Sequence, residues 1–203
     1  MSHLWLGQNP LVLVSGSKVR SRILTAAGLP HEICPAAIDE RALEIMAGDQ
    51  DGSKVALMLA HAKAASVSAQ KPGRLILGAD QTLTLASRLF HKAESLVDAR
   101  QQLMMLRGQA HQLNSALALV QDGTLLFSTV ISATLKKRNF SAAFLENYLE
   151  AAGPDILSSV GCYNIEGIGI QLFDKIEGDQ YTIMGLPIFP LLHHLRNHHL
   201  IIS

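Results

Sequence analysis

Apolar and polar positions along the chain alternate in two rhythms, one of strands and one of helices. Leu11-Val-Leu-Val14 is an unbroken apolar run of the kind a strand buried on both faces shows, and it stops at Ser15-Gly-Ser17. From Val19 to Ala27 the spacing becomes helical, until Gly28-Leu-Pro30 ends it. Glu32 to Pro35 reads as a short second strand. Ile38-Asp-Glu40 leads into a polar loop that runs through Gly48 to Gly52, with Ser53 as the expected cap of the next helix. Val55 to Gln70 is rich in alanine and leucine, residues that lose little side-chain freedom in a helix, and Pro72-Gly73 closes it. Leu75-Ile-Leu77 is a short buried strand reaching Gly78-Ala-Asp80, and strand-like composition resumes from Thr82 to Leu85, so Asp80 is expected at a break in a strand pair.

Ser95 is positioned to cap a helix carrying Val97, Leu103, Met104 and Leu106 on its apolar face, ended by Arg107-Gly108. Gln112 to Val120 and Leu125 to Leu135 flank Gln121-Asp-Gly123, the clearest hairpin signal in the chain. A further helix is expected after Ser141. Glycines at 161, 167, 169, 178 and 185 punctuate strand-like segments before an amphipathic stretch from Pro187 to Leu200. Strands interleaved with helices, with no repeat, linker or low-complexity tract, predict one α/β domain over residues 1–203 built on a mixed sheet.

Composition narrows the functions open to such a domain. Lysine plus arginine and aspartate plus glutamate each number 17, so no net field would hold the chain on a nucleic-acid polymer or an anionic membrane, and any phosphate must be bound locally. Cys34 and Cys162 have no CxxC spacing and are expected as two buried free thiols in a reducing compartment. Met1 to Pro10 lacks the basic and apolar regions of a secretory leader, and no run is long enough to span a bilayer. A cytoplasmic protein is the expectation.

Candidate chemistry sits at a few polar interruptions. Ser15-Gly-Ser17, followed by Lys18, Arg20 and Arg22, offers hydroxyls, first-turn N–H groups and cations to an anion; the same residues also make an ordinary capped helix start. It is not a Walker A loop. Asp39, Glu40 and Asp80 are carboxylates able to hold a divalent cation or accept a proton, although each read alone is also a turn or surface acid. Glu166, Glu177 and Asp179 lie among glycines, with Lys63, Lys92 and Lys175 as possible phosphate partners. Lys63 stands out because its helix is otherwise small and apolar. His194 and His198 share the i, i+4 spacing of a metal pair but lack the glutamate of a zinc-protease helix, and a helix C-terminus favours histidine in any case.

The order of these motifs resembles that of the Maf family of nucleotide pyrophosphatases across nearly the whole chain. Leu13-Val-Ser-Gly-Ser-Lys-Val-Arg20 looks like the family's opening loop and helix, Ile38-Asp-Glu40 like its Asp-Glu motif, and Leu59-Ala-His-Ala-Lys63-Ala like its Leu-Ala-x-x-Lys-Ala. Gly78-Ala-Asp-Gln81 is similar to Gly-Ala-Asp-Thr, and Lys92 falls where Gly-Lys-Pro is usual. Gly161-Cys-Tyr-Asn-Ile-Glu-Gly167 and the stretch from Ile176-Glu-Gly-Asp179 to Gly185-Leu-Pro187 resemble the last two signatures.

The resemblance implies an α/β fold of the Maf/ITPase type, with a central twisted mixed sheet, helices on both sides and two lobes around a cleft. It implies cleavage of a nucleoside triphosphate to the monophosphate and pyrophosphate, with Mg²⁺ or Mn²⁺ held by Glu40 and Asp80, and it implies roles position by position: Asp80 as proton acceptor, and Ser15, Ser17, Arg20, Lys63 and Lys92 facing phosphates. A homodimer follows by the same analogy. Departures from the pattern lie at Lys18-Val19 in place of Pro-Arg, Ala93 in place of proline, Gln81 in place of threonine and Glu166 in place of glutamine. The Gln81 and Glu166 pair resembles the branch acting on 7-methyl-GTP, whose guanine edge offers donors to a carboxylate, while Val19 stands where that branch has an aromatic residue. Two other readings are a nucleotide-binding regulator of cell division without turnover, and a phosphatase releasing orthophosphate stepwise.

Overall fold

A computed structural model describes residues 4–48 and 51–202. In chain order the elements are β1 (Leu11–Val14), α1 (Lys18–Ala26), β2 (His31–Ile33), α2 (Glu40–Ala47), α3 (Gly52–Ser68), β3 (Ile76–Leu85), β4 (Arg88–Phe90), α4 (Leu96–Leu106), β5 (Ala110–Gln121), β6 (Thr124–Lys137), α5 (Ala142–Ala152), β7 (Phe173–Glu177), α6 (Gln180–Ile183) and α7 (Ile188–Asn197). Six of the strands pair in the order β2-β1-β3-β5-β6-β7, and β4 pairs with β3, giving a seven-stranded sheet. β1 runs parallel to β2 and β3, whereas β3–β4 and β6–β7 are antiparallel, so the sheet is mixed as expected. Among the described residues no helix is long and apolar enough to cross a membrane.

The chain divides into two compact units. The first comprises Met1–Gln81, Asn114–Ile131 and Gln180–Ser203; the second comprises Thr82–Leu113 and Ser132–Asp179. In the first, the two-residue period of β1 sorts its side chains cleanly. Leu11 and Leu13 join Ile23 and Leu24 of α1, Leu77 and Ala79 of β3, and Leu191 and Leu195 of α7 in one core. Val12 and Val14 face the opposite way, with Ala64 and Val67 of α3, Ile76 and Val120. A strand covered on both faces must be apolar throughout, which explains the unbroken run at 11–14.

Helix α3 approaches β3 unusually closely. A Cβ on Gly78 would stand 2.0 Å from the Ala60 carbonyl oxygen and 2.8 Å from the Ala64 nitrogen, so only glycine fits there. The small residues of α3 at this contact are what let Lys63 reach the strand.

The second unit packs α4 against α5, joined at the surface by an Arg100–Glu146 ion pair, and buries Leu103, Leu106, Phe140, Leu145 and Tyr148. Its interior holds a polar group of its own. Lys137 is fully buried, its Nζ 4.2 Å from the centre of the Tyr163 ring and 4.9 Å from that of Phe173. His111 Nε2 meets the Tyr163 hydroxyl at 2.8 Å.

Several sequence expectations are confirmed locally. Ser17, Ser95 and Ser141 cap α1, α4 and α5 through their hydroxyls, and Asp122 and Gly123, both at positive φ, turn the β5–β6 hairpin. Others are corrected. Asp80 lies inside one continuous ten-residue strand rather than at a break. The segment read as a polar loop after Glu40 is helix α2, capped by Asp39, whose side chain accepts from the Ala42 N–H at 2.9 Å; residues 49 and 50 of that loop lie outside the described residues. Asp51, not Ser53, caps α3, its carboxylate accepting from the Ser53 N–H. Of the two free cysteines Cys162 is buried, but Cys34 is only half-buried.

Candidate functional site

The first unit gathers three of the expected residues around one ammonium. Lys63 Nζ donates to Asp80 Oδ1 at 2.5 Å and pairs with Glu40 Oε2 at 2.9 Å. The environments of the two acids differ: the Lys63 and Asp80 side chains are each 10% exposed, while that of Glu40 is 51% exposed. α3 supplies the lysine over the Gly78 gap, β3 supplies Asp80 two residues further on, and the first turn of α2 supplies Glu40. Asp80 Oδ2 takes no hydrogen bond from a described residue, so one oxygen of this oriented carboxylate remains available to an incoming proton.

Arg20 builds the adjoining edge. Its Nε donates to the Gly185 carbonyl at 2.7 Å, and its Nη1 donates to the Ala79 carbonyl at 2.8 Å and the Ser15 hydroxyl at 2.9 Å. The guanidinium thus ties α1, β3 and the segment after α6 together. Burial pulls the Arg20 pKa down, with Asp80 and Glu40 acting in the opposite sense, which places all three in one electrostatic neighbourhood. Arginine stays protonated through such a shift. Ser17 accepts from the Arg20 N–H, and its own N–H donates to the Ser15 hydroxyl, so both serines of the turn hold its shape. A helix start so arranged keeps first-turn N–H groups directed outward, the usual setting for an anion.

Gln81 follows Asp80 along β3 and points to the other side of the strand. Its Nε2 donates to the Ser115 hydroxyl at 2.8 Å and to the Ile183 and Thr182 carbonyls at 3.0 and 3.2 Å. Those carbonyls end the short helix α6, and that of Thr182 also takes the Gly185 N–H at 3.0 Å. Arg20 and Gln81 therefore both pin residues 182–185. Gly185 has a φ of +94°, which glycine adopts without strain. Sequence reasoning missed Ser115 and the carbonyls of residues 79, 182, 183 and 185. Ser115 is a polar residue in an apolar strand, a weak signal, and a carbonyl belongs to every residue and leaves none.

The remaining expected residues are distributed as follows. Val19 is half-buried against the core of Leu11, Leu24 and Leu191. Lys92 and Glu166 belong to the second unit, both exposed; Lys92 lines a pocket with Arg88, Glu94 and Asp98, and the Glu166 N–H donates to Asn164 Oδ1. His194 sits on α7 with its ring stacked on Phe127 at 4.5 Å and tilted to His198 at 4.3 Å. These histidines line a cavity of about 390 Å³ with Leu75, Leu119 and Leu126, which shares no residue with the carboxylate site. Acid, base and phosphate chemistry all favour the latter.

Among the described residues no three His, Cys, Asp or Glu side chains cluster as a metal cage. The Asp80 and Glu40 pair instead suits Mg²⁺ or Mn²⁺, which commonly bind through one or two carboxylates completed by substrate phosphates and water.

A family model described as Maf-like protein matches residues 10–198. A protein of Nitrobacter winogradskyi called nucleoside triphosphate pyrophosphatase is 46% identical over 194 residues, covering 96% of each chain. One of the same name from Rhodopseudomonas palustris is 46% identical over 198 residues and 98% of each chain. A 7-methyl-GTP pyrophosphatase of Mesorhizobium japonicum is 50% identical over 188 residues, 92% of this chain and 94% of its own. Among solved structures, a HAM1 protein from Coxiella burnetii aligns over 64% of this chain and 74% of its own, with a TM-score of 0.43 and 16% identity.

Proposed function

The chain belongs to the Maf family, and from that membership we propose that it hydrolyses a nucleoside triphosphate to the monophosphate and pyrophosphate at the Asp80 site, with a guanine nucleotide such as 7-methyl-GTP as substrate. The observation that carries this is the Lys63 bridge between Asp80 and Glu40 beside a half-buried arginine, a set of groups matched to a polyphosphate and a water to be deprotonated.

In this reading Asp80 accepts the proton of the attacking water at Oδ2 while Lys63 holds its other oxygen. Arg20 and the Ser15–Ser17 turn bear the phosphate charge, and on family analogy alone Lys92 is assigned to phosphate and Glu166 to the guanine edge. Phosphoryl chemistry asks little covalent work of a protein, so positioning and charge neutralisation suffice. A divalent cation held by Asp80 and Glu40 would supply further charge neutralisation on the phosphate oxygens. We place the enzyme in the cytoplasm, as a homodimer, on its two free thiols and on family analogy.

A nucleotide panel tests the substrate and the cation together. GTP, 7-methyl-GTP, UTP and dTTP are each assayed for monophosphate and pyrophosphate, with magnesium and then with excess chelator. Highest kcat/KM on a guanine nucleotide and loss of turnover under chelation are expected. Preference for a pyrimidine nucleotide removes the Glu166 assignment, and undiminished turnover under chelation removes the cation.

A further inference from the structure

The carboxamide of Gln81 is wired in one direction. Its nitrogen faces the Thr182 and Ile183 carbonyls and the Ser115 hydroxyl. A carbonyl only accepts, so the amide atom between two of them is the nitrogen, which settles its orientation. The hydroxyl is committed in the same sense, since its own proton goes to the Thr182 carbonyl at 2.6 Å. Both amide protons are spent inside the protein, in surroundings where Ser115 and Thr182 have no exposed surface. Turning the amide over would set Oε1 against two carbonyl oxygens, an unfavourable arrangement where little water can relieve it.

What remains to the outside is an acceptor. Gln81 Oε1 takes no hydrogen bond from a described residue, and it lies 3.5 Å from the point a Cβ on Gly185 would occupy. Arg20 Nη2 is 3.5 Å from the same point and has no described partner either. A glutamine with a free amide reads a donor and an acceptor together, as in its two-bond recognition of adenine. This one has no donor left to offer.

We infer that Ser115 is a positioning residue: with the Thr182 and Ile183 carbonyls it fixes position 81 as a hydrogen-bond acceptor, so the substrate group that meets Gln81 is a donor, either an N–H of the base or an O–H of the sugar. The inference rests on the reading that a nucleotide occupies the Asp80 site.

The test measures affinity rather than turnover. Calorimetry on the full chain identifies the best bound of the α,β-methylene analogues of ATP, GTP, CTP and UTP. That analogue is then compared with two relatives, one methylated at the base-edge N–H and one lacking the 2′-hydroxyl. The wild type is expected to lose affinity on the order of tenfold or more for one of the two, and which one identifies the donor as base or sugar. Ser115→Ala, which removes one of the three acceptors around the amide nitrogen and leaves the two carbonyls, is expected to shrink that loss in part by loosening the amide, and Gln81→Met to abolish it. Ser115→Cys, nearly isosteric and a weak donor, is expected to fall between and serves if the alanine variant does not fold. Equal affinity of the wild type for all three ligands, or full discrimination retained in the folded Ser115 variants, overturns the inference. Absence of any nucleotide binding overturns it together with the proposed function. The expected discrimination without pyrophosphate from the natural nucleotide overturns the pyrophosphatase reading alone.

Discussion

Lys63 binds two acids in unlike settings, and its removal acts on each differently. Glu40 is half exposed and can be rehydrated, so its pairing adds little to stability. Asp80 is not, and Lys63→Met leaves its carboxylate nearly buried without a cation, a change that typically costs about 3 kcal/mol or more. Urea unfolding of the variant is expected to show a lower midpoint at unchanged slope, with turnover reduced by about 100-fold or more because the base loses its orientation. An unaltered midpoint would mean that water already screens the pair. At this scale the sequence was legible where a side chain announces itself. Asp80, Glu40 and Lys63, separated by up to forty positions, were joined only through the order of family motifs, and they do meet. Ser115 and the carbonyls of 182, 183 and 185 were not legible, because their role comes from direction in space and not from residue type.

The elements explain how those side chains arrive together. α3 lies on β3 with no side chain between Gly78 and the Ala60 carbonyl, and that contact sets the height of Lys63 over Asp80. Gly78→Ala forces backbone against backbone, where no flexible side chain can give way, and is expected to destabilise the protein by about 1–3 kcal/mol. Turnover should fall by more than the loss of folded protein accounts for, since α3 must lift and carry Lys63 with it. Thermal melting alongside kcat measured well below the midpoint checks this; wild-type stability would contradict the close contact. Glycine and aspartate suggested a break in β3 because both are common in turns, yet here the glycine makes room for a helix within a continuous strand. α2 was hidden for a related reason. Ile45 and Met46 are 68% and 81% exposed, so the apolar positions of this helix do not mark a buried face.

Across the whole molecule, alternating strands and helices with a balanced charge were enough to give an α/β fold on a mixed sheet, because buried strands and capped helices leave periodic traces. The division into two units left none. β3, β5 and β6 each contribute residues to both, so no linker or change of composition marks the boundary. Buried titratable groups of the second unit nevertheless govern a property of the entire chain, its stability against pH. Burial, reinforced by Lys137, lowers the His111 pKa to about 3, and burial lowers that of Lys137 well below the usual lysine range. The unfolded chain binds more protons at both groups, so stability rises with pH from about 3 to 6.5 through His111 and goes on rising below 10.5 through Lys137. Burial acts oppositely on acids, raising the Cys162 pKa to about 11 and those of Tyr148 and Tyr163 further. Above about pH 9 these groups ionise first in the unfolded chain and stability falls. Unfolding midpoints from pH 4 to 10 should therefore peak on the alkaline side of neutrality, and Lys137→Met should raise the midpoint at pH 7 while flattening the rise above it. A maximum near pH 5 to 6, or a destabilised Lys137→Met, would show Lys137 to be charged and satisfied by the Tyr163 and Phe173 rings.

The most direct measurement is product identification by phosphorus NMR, with a guanine nucleoside triphosphate and magnesium, on the wild type and on Asp80→Asn. Equimolar monophosphate and pyrophosphate from the wild type are expected, with turnover lower by orders of magnitude in a variant that binds the nucleotide and keeps its fold. Orthophosphate as the first product, nucleotide bound without any product, or near-normal turnover in Asp80→Asn would contradict a pyrophosphatase whose base is Asp80.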